Sequence, residues 1–197
     1  MQTKAALILF TKNPELGKVK TRLAKTVGDK KALDIYCKLL VHTKNIVQNL
    51  PVDKFVFYSE TIAENDLWEE ANYYKKIQFG SDLGTRMKNA FKELFDLQYN
   101  SICIIGSDCY DLNSEIIKDA FDKLLTDDVV IGPTFDGGYY LLGMNKLHNK
   151  LFEIKTWSTE SVYSETESDL ELMSLQYSNL VKLTDIDEEK DLPQIWK

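Results

Sequence analysis

The sequence predicts a single α/β domain over residues 1–197: a mostly parallel, twisted sheet with helices on both faces. Three observations predict it. A chain of 197 residues has the length of one such domain. Short β-rich runs alternate with amphipathic stretches from end to end. Several of those runs are almost wholly apolar, as strands covered on both faces must be.

In order, the strand candidates are residues 5–10 (AALILF), 54–59 (KFVFYS), 76–79, 101–106 (SICIIG), 128–133 (DVVIGP), 139–144 (YYLLGM) and 180–183. Between them, residues 29–50 place Ala32, Leu33, Tyr36, Leu39, Leu40, Ile46 and Val47 on one helical stripe. Residues 81–97 and 114–125 are further helices, with Ser81 and Ser114 as N-caps. Residues 159–175 form a weaker fourth. No internal repeat, low-complexity segment or Pro/Gly/Ser linker divides the chain.

Composition narrows the function. Hydrophobic residues at 44% and charged residues at 28% describe a folded globular chain. No apolar run reaches the roughly 18 residues of a membrane span, and MQTKAALILFTKNPE reads as a first strand, not a signal peptide. Cys37, Cys103 and Cys109 show no CxxC spacing, which points to reduced thiols and a cytoplasmic location. With His42 and His148 the only histidines, and far apart in sequence, the chain argues against a histidine-rich metal site or a Ser-His-Asp triad. The chemistry falls to carboxylates, lysines and arginines.

Charge is unevenly spread. Residues 1–50 hold ten Lys/Arg and three Asp/Glu, a net of +7, while the remaining residues carry −14. An acidic protein with one basic cluster suits a small anionic ligand better than nucleic acid. Lys30, Lys31, Lys38 and Lys44 read as a solvated helix face.

Ligands of open parallel sheets bind beyond the carboxyl ends of the strands. After the first strand comes TKNPELGKVKTR, where Lys18, Lys20 and Arg22 alternate. In an extended loop they would point the same way, a phosphate-capturing arrangement. No Walker A loop is present. Against 22 lysines there are only two arginines, Arg22 and Arg86, and Arg86 lies in SDLGTR at a helix entrance where Gly84 admits close approach. Asp108, just after the fourth strand, is placed to hold a divalent cation against a diphosphate, and Asp111 to cap the following turn. Between the fifth and sixth strands, Asp136-Gly137-Gly138 is a hairpin signal that also presents Asp136 and Tyr139 beside two glycines. Asp185 or Asp187 would supply a second carboxylate if the last strand runs beside the fourth.

The blocks FTKNPELGKVKTRL, DLGTRM, IGSDCYDL, GPTFDGGYYLLG, TWST and DIDEEKDL occur in the order seen in the bacterial family called domain of unknown function 2064, which the chain resembles over nearly its whole length. That family looks like the glycosyltransferase-A (GT-A), Rossmann-like type of nucleotide-diphospho-sugar transferase. It is also similar to the molybdenum-cofactor and phospholactate guanylyltransferases. The resemblance implies that Lys12, Lys18, Lys20 and Arg22 face phosphates and that Asp82, Leu83, Gly84 and Arg86 lie near the nucleotide. Asp108 would hold Mg²⁺ or Mn²⁺, with Asp187, or less favourably Asp185, as second ligand. Asp136, Gly137, Gly138 and Tyr139 would line the acceptor or donor-sugar side.

Three departures stand out. FTKNPELGKVKTRL replaces the LxAGxxxRxG loop of many nucleotidyltransferases. Cys109-Tyr110 stands where the family tends to have Ser-Pro, and Glu188-Glu189-Lys190 where it tends to have Thr-Pro-Glu. The expected activity is transfer of a glycosyl group from a nucleotide-diphospho-sugar to a small acceptor, with Asp108 and Asp136 as catalytic carboxylates. Nucleotidyl transfer from an NTP with pyrophosphate release, and nucleotide binding without turnover, are the other two readings.

Overall fold

The computed structural model describes residues 4–153 and 155–196. Seven strands form one sheet: β1 (Ala5–Thr11), β2 (Asp53–Tyr58), β3 (Tyr74–Ile77), β4 (Ser101–Ile105), β5 (Val129–Pro133), β6 (Tyr139–Met144) and β7 (Tyr177–Asn179). Their order is β3-β2-β1-β4-β6-β5-β7, parallel except for β6, which runs antiparallel to both β4 and β5. The alternation of β1 sorts two cores. Leu7 and Leu9 face one side, Ala6 and Ile8 the other, and all four are buried.

Helix α2 (Asp29–Val47) and helix α4 (Ser114–Lys123) cover the Leu7 face through Tyr36, Leu40, Val47, Ile117 and Ala120. Helix α3 (Leu83–Asp96) and helix α5 (Val162–Leu172) cover the Ala6 face through Met87, Phe91, Leu94 and Leu170. A buried Leu or Phe side chain contributes about 1.5–3 kcal/mol over leaving it in water, so both faces need their helices. No described helix is long and apolar enough to cross a membrane.

Four local expectations are corrected. The basic segment is not extended: it turns at Gly17 (φ +76) and Lys20 (φ +47) and enters a short helix, α1 (Thr21–Val27). Burying Val19 and Leu23 drives that turn, which a one-residue alternation could not satisfy. The N-caps are Asp82, one residue after the expected Ser81, and Asn113, one residue before the expected Ser114. Asp82 accepts from the Thr85 N–H, and Asn113 from those of Glu115 and Ile116. A carboxylate or amide oxygen reaches those free N–H groups from an extended backbone, the geometry of an N-cap. Asn113, and not Asp111, therefore caps α4. The last strand forms at 177–179, while 180–183 contributes only an isolated bridge from Leu183 to Thr134.

Candidate functional site

The chain leaves β1 toward β2 on one side and enters β4 on the other, so the crevice between their carboxyl ends is the topological switch point, where such sheets bind ligands. The loops after these two strands meet there. Tyr36, reaching in from α2, ties them together beneath the surface. Its hydroxyl receives the Lys12 N–H at 2.8 Å and lies 3.2 Å from Thr11 Oγ1 and 3.3 Å from Ser107 Oγ. Burial, then the nearby Asp108 charge, raises the Tyr36 pKa, so the phenol stays protonated. The sequence showed Tyr36 only as part of an apolar stripe. The signal available was that a buried tyrosine needs a partner for its hydroxyl.

Above that network sits a charge cluster. Lys20 Nζ lies 2.8 Å from Asp108 Oδ2 and 3.3 Å from Asp187 Oδ1. The Lys20 side chain is only 5% exposed, against 42% for Asp108 and 36% for Asp187. Arg22, on α1, reaches Asp187 Oδ2 at 3.4 Å. Burial acts to lower the Lys20 pKa, but the pull of Asp108 and then Asp187 outweighs it, and the ammonium is held charged. Asp185 is partly buried beside this group. Desolvation, and then the charge of Asp108, push its pKa up to about 7.

The tail reaches this place because Ile186 and Leu192 pack onto Leu23, Ala32, Ile35 and Leu39 of α1 and α2. The Ile186 N–H then donates to the Asp108 carbonyl at 2.9 Å. The condition set in the sequence, that the last strand run beside the fourth, is not met: β7 pairs with β5 and Leu183 bridges Thr134, so it is the segment beyond the strand, through Ile186, that reaches the end of β4. Among the described residues, no three His, Cys, Asp or Glu side chains are grouped so as to hold an ion unaided.

The remaining sequence-derived residues are dispersed around this centre. Lys12 is exposed at the lip, and Lys18 is exposed and turned to Glu15 (2.7 Å) and Glu60 (3.5 Å). Of the three alternating cations, Lys20 and Arg22 thus converge on Asp187, while Lys18 points away from them. Asp82 is engaged as the α3 cap, which lowers its pKa through the Thr85 N–H and hydroxyl and the Ser81 hydroxyl. Leu83 is exposed, and Arg86 Nε donates to the Gly80 carbonyl at 3.1 Å, fixing the turn before α3. Gly84 faces the Trp157 indole: an added Cβ would lie 2.1 Å from it.

Asp136 Oδ1 accepts from Thr134 Oγ1 at 2.5 Å and from the Gly138 N–H at 3.2 Å, closing the β5–β6 turn. Gly137 (φ +88) admits the backbone of Glu160, 2.0 Å from where a Cβ would stand. Gly138 sits over Thr134, and an added Cβ would lie 3.2 Å from its hydroxyl. Both Gly84 and Gly137 therefore accommodate the protein's own 157–160 segment. The Tyr139 hydroxyl is buried without a hydrogen-bond partner among the described residues.

Comparison with known proteins agrees with this architecture. Residues 42–159 match the family model described as "Uncharacterized protein conserved in bacteria (DUF2064)". A crystal structure from Desulfovibrio desulfuricans G20, provisionally described as a nucleotide-diphospho-sugar transferase, is 32% identical with a TM-score of 0.87, over 95% of this chain and 84% of that one. Two more distant structures share the fold. One is the 4-diphosphocytidyl-2C-methyl-D-erythritol synthase of Anaerococcus prevotii (12% identity, TM-score 0.61, 96% and 92% coverage). The other is the inositol-1-phosphate CTP transferase of T. maritima (14%, 0.56, 98% and 94%). Among curated proteins, none matches the chain.

Proposed function

This chain belongs to the DUF2064 family, and we propose that it is a metal-dependent transferase that moves the glycosyl group of a nucleotide-diphospho-sugar to a small-molecule acceptor. The observation that carries this reading is the buried Lys20 ammonium shared by Asp108 and Asp187 at the β1/β4 switch point. The 32% identical D. desulfuricans protein supports the choice of substrate class.

The donor set fits a hard divalent cation. Asp108 and Asp187 offer only carboxylate oxygens, and the ammonium they share marks a place that attracts positive charge. Asp108 and Asp187 would hold Mg²⁺ or Mn²⁺, with Asp185 next to them, and ligand oxygens would complete the coordination. Once bound, the ion would neutralise charge on the departing diphosphate.

The chain's own residues would do the rest. Lys12, Lys18, Lys20 and Arg22 border the crevice and would hold the diphosphate oxygens through charge-assisted hydrogen bonds. Tyr36 fixes the Lys12 backbone against Ser107, which keeps phosphate and cation sites in register. Asp82, Leu83, Gly84 and Arg86 would flank the nucleotide at the entrance to α3. On the sugar and acceptor side, Gly137, Gly138 and Tyr139 hold the turn that presents Asp136. Both turn hydrogen bonds fall on Oδ1, and the carboxylate would accept the acceptor's proton in an inverting transfer.

The test is a thermal-shift panel of nucleoside diphosphates, triphosphates and nucleotide sugars with and without Mn²⁺, followed by turnover of whatever binds. A ligand at about 100 times its Kd adds roughly 2.7 kcal/mol to native-state stability. A Mn²⁺-dependent shift with a nucleotide sugar, lost together with turnover in Asp108→Asn, is the expected result. Unchanged turnover in that variant overturns the assignment. Pyrophosphate released from an NTP, with sugar nucleotides left intact, would reassign the protein to nucleotidyl transfer. Tight nucleotide binding without product under either metal would make it a binding module.

A further inference from the structure

Lys20 is placed where a cation bridging Asp108 and Asp187 would have to go. Its ammonium touches one oxygen of each carboxylate, at 2.8 and 3.3 Å. A Mg²⁺ or Mn²⁺ ion binds such oxygens at about 2.0–2.2 Å, so an ion between them would fall against Nζ. Two cations at contact distance repel, and the Lys20 ammonium, itself only 5% exposed, is poorly placed to be screened by solvent.

Three features single Lys20 out among the neighbouring cations. It is the buried one, whereas Lys18 and Arg22 are more than half exposed. It contacts both carboxylates, while Arg22 reaches only Asp187 and Lys18 neither. It also projects from a left-handed residue at the mouth of α1, so its backbone is fixed and any movement belongs to the flexible four-carbon stem.

We infer that Lys20 is a built-in counter-ion that closes the Asp108–Asp187 pair in the free protein, and that a divalent cation binds there only by displacing it. The inference rests on the cation site of the preceding reading. In the bound state the expelled ammonium finds a new partner in the ligand's diphosphate, so one side chain serves the empty site and the filled one. Removing it should make the free protein a better cation binder, the reverse of what loss of an ordinary binding residue does.

The experiment is Mn²⁺ titration of the full chain without nucleotide, reading free Mn²⁺ by electron paramagnetic resonance. Wild type is compared with Lys20→Met, Lys18→Met, Asp108→Asn and the Lys20→Met/Asp108→Asn double variant. Lys20→Met is expected to bind Mn²⁺ about tenfold more tightly than wild type, within the range of known site-to-site couplings. The double variant should lose that gain. Lys18→Met removes the same charge from the same loop without freeing either carboxylate, and should change affinity less than about twofold.

Equal or weaker binding by folded Lys20→Met overturns the inference, as does an equal gain from Lys18→Met. If wild-type binding is unmoved by Lys20→Met yet lost in Asp108→Asn, the counter-ion role fails and the cation site stands. If neither wild type nor Lys20→Met binds Mn²⁺, both fail. Lys20→Gln, whose amide still bonds to the carboxylates, is read by the same criteria if Lys20→Met does not fold.

Discussion

Lys20 and Lys155 are both buried cations, 5% and 1% exposed, held in opposite kinds of surroundings. Lys155 pairs with Asp169 of α5, itself 17% exposed, and Lys150 approaches the same carboxylate at 3.7 Å. Its carboxylate is nearly as enclosed as its ammonium, beneath a hollow of about 550 Å³ lined by charges of both signs. Lys20 instead faces two carboxylates that each reach solvent, with the partly buried Asp185 nearby. A pair closed on both sides fastens one segment to another. A cation shared among half-open carboxylates can be exchanged for another cation, because its partners remain hydrated when it leaves.

The largest expected effect comes from breaking the closed pair. Lys155→Met leaves Asp169 with only the more distant Lys150 and should cost about 3 kcal/mol, the lower end for a broken buried pair. At this chain length that lowers Tm by roughly 6–12 °C in a calorimetric scan. A loss under about 1 kcal/mol would mean that the pair is no fastener.

Gly84→Ala comes next. Its Cβ would meet the Trp157 indole, two residues beyond Lys155, and overpacking of this kind costs about 1–3 kcal/mol. Tryptophan fluorescence should shift with the loss, and an unchanged spectrum would show that the 155–157 segment absorbs the methyl elsewhere.

Lys20→Met should destabilise the nucleotide-free protein by no more than about 1 kcal/mol, since Asp108 and Asp187 rehydrate. Urea unfolding measures it. A cost as large as that of Lys155→Met would erase the distinction between the two lysines.

The smallest effect is one of pH. His148 precedes the 3-10 turn Asn149–Phe152, and its Nε2 is buried without a partner among the described residues. Burial, and then the charge of Lys146, lower its pKa below that of the unfolded chain. The unfolded state therefore takes up the proton first, and stability falls as pH drops through about 6.5. Wild-type Tm should decline over that interval more steeply than that of His148→Gln.

Much of the architecture was legible because it is written in local periodicity. The near-continuous apolar runs AALILF and SICII became β1 and β4, and the Tyr36 stripe became the inner face of α2. Asp108 could be singled out since a carboxylate directly after an apolar strand stands at its carboxyl end wherever the strand lies. The direction of Lys18, apart from Lys20 and Arg22, was misread for the same reason. Alternation predicts orientation only in extended chain, and burial of Val19 and Leu23 coiled this one. Gly84 and Gly137 carried a clear signal of close approach, but a glycine does not say what approaches it. Here it is Trp157 and Glu160.

By itself, then, the sequence determined the alternating strands and helices, the hairpin between β5 and β6, and the carboxylate at the end of β4. Each depends on interactions within a few residues, where spacing dictates which side is buried. Tertiary structure alone decided that β6 inserts antiparallel beside β4, that Tyr36 joins two loops, and that Lys20 meets Asp187 across 167 positions of sequence. The last of these contacts follows from how Ile186 and Leu192 seat on α1 and α2. Such seating is a property of two complementary surfaces, and neither segment's own pattern encodes it.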